Sequence, residues 1–160
     1  MEKAVFIRAV EQYQAMVYRI ALHYFGNIYD AEDATQEVFL RLYQQKRSFE
    51  EDHLRRWLMR VTVNHCKDIL KSPWRKRRVE FDALAAEPEF DREEQRELYR
   101  EVMTLPEKYR TVLNLYYYEE LSTKEIAELL NLRQTTVTTR LSRARGLLKD
   151  RLGEVWNDEE

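Results

Sequence analysis

Residues that break or cross-link a fold are scarce in this chain. It holds one cysteine, Cys66, which excludes an intrachain disulfide and leaves no thiolate cluster for a structural metal. Three glycines and three prolines in 160 residues leave little turn chemistry. Hairpin pairs and strand-like alternation are almost absent, which argues against a β-rich fold. No apolar run approaches the roughly 20 residues of a membrane span. The first segment, MEKAVFIRAVEQYQAMVYRIALHYF, is broken by Arg8, Glu11 and Arg19, so it reads as an amphipathic helix and not as a targeting peptide. There is no glycine-rich phosphate loop, no metal-ligand spacing and no nucleophile beside a base, and His23, His53 and His65 are scattered. These absences predict a cytoplasmic, all-α protein with no cofactor and no catalytic activity.

What is present is charge, unevenly placed. The net charge of −2 hides two basic blocks around an acidic one. Residues 54–78 carry nine Lys or Arg against one acid, residues 80–101 nine acids against three arginines, and residues 133–151 six bases against one acid. Such blocks are either solvated faces or interaction surfaces and linkers.

Helical periodicity and punctuation divide the chain. A first helix is predicted over 2–25, stopped by Gly26-Asn27, and a second over 30–45, capped by Asp30. A third spans 52–71 and ends at Pro73. Residues 79–91, VEFDALAAEPEFD, are acidic, weakly periodic and contain Pro88, which makes them the predicted flexible linker between two small helical domains, 1–78 and 92–160. Fully extended, that stretch reaches about 43–47 Å. Four shorter helices follow, over 92–104, 106–118, 123–130 and 134–152, with Pro106 at a helix start and a capping box at Ser122–Glu125.

The last two of these have helix-turn-helix spacing, with Asn131 suited to a left-handed turn. On a helical wheel Val137, Leu141, Ala144 and Leu148 form the buried stripe. Thr135, Thr138, Thr139 and Ser142 lie opposite, with Arg143 beside them and Arg145 and Lys149 on one flank. Threonine is a mediocre helix former. Short hydroxyl side chains do let a helix approach base edges, and arginines beyond them reach guanine or phosphate. The DNA-reading face is the preferred interpretation, and a solvated Thr/Arg face is the alternative.

On the third helix Leu54, Trp57, Leu58, Val61, His65 and Ile69 are predicted to share the buried face, with His65 and Trp57 in the core. Arg56, Arg60, Lys67 and Lys71 form a basic arc, with Asn64 on its border, four residues before Asp68. A basic stripe suits phosphates, and a polar amide at its edge could read an unpaired base or be an ordinary surface amide. On the second helix Ala31, Ala34, Val38 and Leu42 form the buried stripe, while Leu40 points outward among Asp33, Gln36, Glu37 and Gln44. An exposed Leu ringed by acids and amides fits the centre of a protein-binding patch.

Together these residues resemble a bacterial sigma factor of the extracytoplasmic-function group. DAEDATQEVFLRLY (30–43) is similar to the family's polymerase-binding helix and RRWLMRVTVNHCKDIL (55–70) to its −10 promoter helix. LPEKYRTVLNLYYYEELSTKEIAELLNLRQTTVTTRLSRARGLLKDRL (105–152) resembles the −35-binding domain. The resemblance implies sigma domains 2 and 4, and a promoter-specificity subunit that is monomeric when free, binds RNA polymerase core enzyme and promoter DNA, and is restrained by an anti-sigma factor, often membrane-bound. It implies that Asp33, Gln36, Glu37, Leu40 and Arg41 contact polymerase. It places Arg56, Arg60, Asn64, Lys67, Asp68 and Lys71 at the −10 element, and Gln134, Thr135, Thr138, Thr139, Ser142 and Arg143 at the −35 element. Arg133 stands where the family usually has a Ser-like cap. A stand-alone helix-turn-helix regulator is the alternative, and it leaves the second and third helices without a role.

Overall fold

The computed structural model describes residues 1–73 and 87–153. The chain divides into two compact units, 1–87 and 88–160. The described residues are helical, with no strand among them. Most of the linker expected over 79–91, and the basic WRKRR stretch at 74–78, lie outside the described residues.

In the first unit α1 (Lys3–Phe25), α2 (Ile28–Tyr43) and α3 (Glu51–Lys71) pack each against the other two. Gly26 ends α1 in the left-handed conformation, φ 66°, donating its N–H to the Leu22 carbonyl. The next residue, Asn27, is the N-cap of α2. Asn27 accepts from the N–H groups of Tyr29 (2.8 Å) and Asp30 (3.2 Å). The cap is therefore Asn27 and not Asp30, which is buried in the first turn. The expected stripe Ala31, Ala34, Val38 and Leu42 is buried.

On α3 the buried side differs from the expected one. It comprises Leu54, Leu58, Met59, Thr62, Val63 and Cys66, while Trp57, Val61, His65 and Ile69 are half-buried. At 100° per residue this turns the helix by about 90° relative to the sequence reading. Hydrophobicity favours Trp57 and Val61 over Thr62 and Cys66. A helix seated on two others needs small side chains at the contact, and Thr62 satisfies its hydroxyl on the Leu58 carbonyl at 2.6 Å. Ser72, next to Pro73, is already extended, the conformation that crowding by the proline ring favours.

In the second unit α4 (Glu93–Met103), α5 (Glu107–Leu113), α6 (Thr123–Leu130) and α7 (Gln134–Leu152) follow in order. Pro106 occupies the cap position of α5. The helix does not run uniformly to Tyr118. Its last turn, Asn114–Tyr118, is π-helical, closed by Glu119 N–H to the Asn114 carbonyl at 3.0 Å. Glu120, at φ 58°, reverses the chain into the Ser122–Glu125 capping box, whose reciprocal bonds are 3.1 and 3.0 Å. Asn131 is left-handed at φ 55°, and Leu132 donates back to the Ala127 carbonyl at 2.9 Å. Helix α7 lies against α5 and α6, burying Val137, Leu141, Ala144 and Leu148 as expected.

Candidate nucleic-acid and partner interfaces

Burying those four α7 residues turns Thr135, Thr138, Thr139, Ser142 and Arg143 outward, all exposed. Thr138 donates its hydroxyl to the Thr135 carbonyl at 2.9 Å, so it meets a ligand with its methyl group and an oxygen lone pair. Gln134 is exposed, yet its amide donates to the Thr123 hydroxyl at 2.8 Å, tying the start of α7 to the start of α6. Arg133 caps α7 without a side-chain bond to the helix N–H groups. Beside the face a groove of about 330 Å³ brings Lys108 and Tyr109 of α5 to Thr135, Thr139, Arg140 and Arg143. Lys108 escaped the sequence reading because it lies on α5, two helices before the recognition helix.

The rotation of α3 changes its outer surface. Arg56, Arg60, Asn64, Asp68 and Lys71 are exposed and Lys67 is half-buried. Opposite the buried row, Asn64 now stands at the centre of the exposed arc and not at its border. Seven residues earlier on the same side, Trp57 closes a pocket of about 310 Å³ with Arg47, Ser48, Phe49 and His53. The Phe49 and Trp57 rings lie 5.4 Å apart, and the Arg47 guanidinium stands 4.5 Å from the Phe49 centroid. An aromatic pair crossed by a cation is a platform for a flat ring. The only signal for it in the sequence was Arg47-Ser-Phe49 directly before α3.

On α2, Asp33, Gln36 and Leu40 are exposed and Glu37 and Arg41 are half-buried. Leu40 keeps 52% of its surface exposed. Exposed Tyr29 and Tyr43 extend the row, so the outward stripe reads 29, 33, 36, 40, 43, the alternating four-and-three spacing of a helix seam. The two tyrosines were not among the expected contacts. Arg41 joins this face to α3. Its Nε bonds Glu37 Oε1 at 3.0 Å and its Nη2 reaches His65 Nδ1 at 3.2 Å. Burial, then the Arg41 charge, hold the His65 pKa below its ordinary 6.5, against the opposing pull of Glu37 and Asp68.

The chain matches two family profiles, sigma-70 region 2 over residues 9–76 and sigma-70 region 4 over residues 95–148. It is 30% identical to the ECF RNA polymerase sigma factor SigW of Bacillus subtilis, with 96% of this chain and 92% of that protein aligned. The chain belongs to the extracytoplasmic-function sigma factors. This sigma factor is also 29% identical to SigM of Bacillus subtilis over 93% of its own length and 96% of that protein's. Two solved structures share its fold. One is the sigma factor RpoE in complex with the anti-sigma factor NepR from Bartonella quintana, with TM-score 0.74, 20% identity, and 92% of this chain and 96% of that one covered. The other is CnrH in complex with the cytosolic domain of CnrY, with TM-score 0.65, 23% identity, and 94% and 89% covered. In this sigma factor the region 2 match covers most of α1 and all of α2 and α3, and the region 4 match covers most of α4 to α7. Among the described residues no cluster of His, Cys, Asp and Glu could hold a metal ion, and no helix is long and apolar enough to cross a membrane.

Proposed function

We propose that this alternative sigma factor divides promoter recognition among three exposed helix faces. The α2 stripe centred on Leu40, with Asp33, Gln36, Glu37 and Arg41, docks on core polymerase. Arg56, Arg60, Lys67 and Lys71 hold the phosphates of the opened −10 segment, with Asp68 at the edge of that arc. Asn64 reads a base there, and the Phe49–Trp57 platform receives one by stacking. Gln134, Thr135, Thr138, Thr139, Ser142 and Arg143 meet the −35 element in the major groove. Residues 1–78 then act as domain 2 and residues 92–160 as domain 4, joined through 79–91. The chain itself performs no reaction and works in the cytoplasm, where polymerase is. It is a monomer when free. RpoE is bound by the anti-sigma factor NepR in its solved complex, and an anti-sigma protein would bind and restrain this chain, with its membrane attachment left to the particular partner.

The observation that carries this reading is the composition of the exposed α7 face, five Thr, Ser and Arg side chains opposite a complete apolar stripe. Nothing in the packing of α7 needs them. A stand-alone helix-turn-helix regulator would use that face too, but would leave Leu40 and Asn64 idle. Transcription by purified core polymerase with this chain on a randomised promoter library is the test. Enrichment of paired −10 and −35 elements is expected. Palindromic enrichment without core enzyme, with a dimer on gel filtration, would instead favour the regulator.

A further inference from the structure

Three consecutive tyrosines, Tyr116 to Tyr118, end a helix of this 160-residue chain. The π-helical turn Asn114–Tyr118 leaves Tyr116 half-buried, Tyr117 56% exposed and Tyr118 64% exposed. Such turns recur where a helix has been adapted to a task. Tyr116 and Tyr117 meet edge to face, centroids 5.0 Å apart. Over both of them lies Arg145 of α7, its guanidinium 5.6 Å from the Tyr116 centroid and 5.4 Å from that of Tyr117. Its Nε donates to the Tyr117 hydroxyl.

Arg145 follows Thr138 by seven residues, so it lies within about 20° of Thr138 on the wheel and about 10.5 Å further along α7. It flanks the Thr138–Ser142 edge of the proposed reading face, with exposed Lys149 one turn beyond. A free arginine side chain samples many rotamers, and holding it in one direction costs entropy at the moment of binding. Here two rings and a hydroxyl hold it beforehand. The Nε bond leaves the two Nη groups as a planar fork, the shape that binds two phosphate oxygens.

We infer that Tyr117, assisted by Tyr116, is a positioning residue that aims Arg145 at a DNA phosphate beside the −35 element. The inference rests on the proposed role of α7. A phosphate contact fixes register on the duplex without choosing bases. Arg145 therefore sets the strength of −35 binding, and the Thr/Arg143 face sets its sequence.

The test uses the full chain assembled with core polymerase on a promoter duplex carrying both elements, titrated across a salt series. Arg145→Ala flattens the plot of log affinity against log salt by about 0.9, one phosphate's worth, and leaves the base preference at every −35 position unchanged. Tyr117→Phe keeps the ring and removes the hydroxyl. It weakens binding about three- to tenfold in the wild-type background and not at all in the Arg145→Ala background. Arg145→Lys retains the salt slope and loses the dependence on Tyr117. Additive losses in the double variant, or an unchanged slope in Arg145→Ala, overturn the positioning role. If the wild-type holoenzyme has no −35 preference at all, the reading of α7 fails and takes this inference with it. If that preference is intact and the losses are additive, only the role of Tyr117 falls.

Discussion

Arg41 of α2 donates to Nδ1 of His65 on α3 at 3.2 Å while holding Glu37 at 3.0 Å. Arginine has no acceptor, so the imidazole must be the acceptor at Nδ1 and be neutral in the fold. Protonation would remove that lone pair and set a cation against the guanidinium. Because the folded pKa lies below 6.5, chiefly through burial, the unfolded chain takes up the proton first as pH falls. Stability from this site is full above about pH 6.5 and declines as pH drops toward the folded pKa. Melting temperatures of wild type and His65→Gln between about pH 7.5 and 5 should diverge in slope, with the glutamine variant flatter. Parallel curves would remove His65 from the acid response.

Leu40 is exposed on a helix whose buried stripe is complete without it. Leu40→Asp should change folding stability by no more than about 0.5 kcal/mol, as at other surface sites. It should weaken core binding by about 2 kcal/mol or more if Leu40 anchors the patch, since it places a new charge beside Asp33 and Glu37. Circular dichroism melting and a pull-down with core enzyme separate the two effects. A variant that melts early yet binds core normally would make Leu40 a packing residue.

How far the sequence could be read depended on how each helix is held. The α7 stripe Val137, Leu141, Ala144 and Leu148 was legible because four apolar residues have no rival register. On α3 two registers compete. Trp57 and Val61 are the more hydrophobic pair, but Thr62 and Cys66 are small enough for the approach of α1 and α2, so packing overrode hydrophobicity. Two neighbouring candidates for one cap hid the choice of Asn27 over Asp30. The Arg47–Trp57 pocket joins a loop to a helix turn, and the Arg145–Tyr117 contact spans 28 residues. Both depend on tertiary folding, which local periodicity does not encode.

Arg143 and Val137 lie on opposite sides of α7, exposed and fully buried respectively. Arg143→Ala should reduce −35-dependent transcription by about 1–3 kcal/mol and relax preference at one position if it reads a base. Val137→Asp should unfold the second unit by burying an unpaired charge. Promoter activity that is unchanged in a folded Arg143→Ala protein would take Arg143 off the reading face.

Asn64 occupies the middle of the exposed arc of α3, two turns from the Phe49–Trp57 platform. An amide offers a donor and an acceptor together, which can pair with one base edge, whereas the neighbouring cations offer charge alone. A closed duplex turns its Watson–Crick edges inward, so an amide that reads one of those edges meets it only after the strands part. Asn64→Ala should therefore alter preference at one −10 position of the non-template strand, by about 1–3 kcal/mol between the favoured base and the others. The exposed Arg60 should behave differently: Arg60→Ala weakens all sequences alike and lowers the salt slope by about 0.7, one phosphate of an opened strand. Substituting each −10 base in turn, on duplex and on pre-opened templates, distinguishes the two. Identical profiles for both variants would reduce Asn64 to a backbone contact. An Asn64→Ala defect that persists unchanged at every base on pre-opened DNA would show that it supports the helix surface and not the reading of a base.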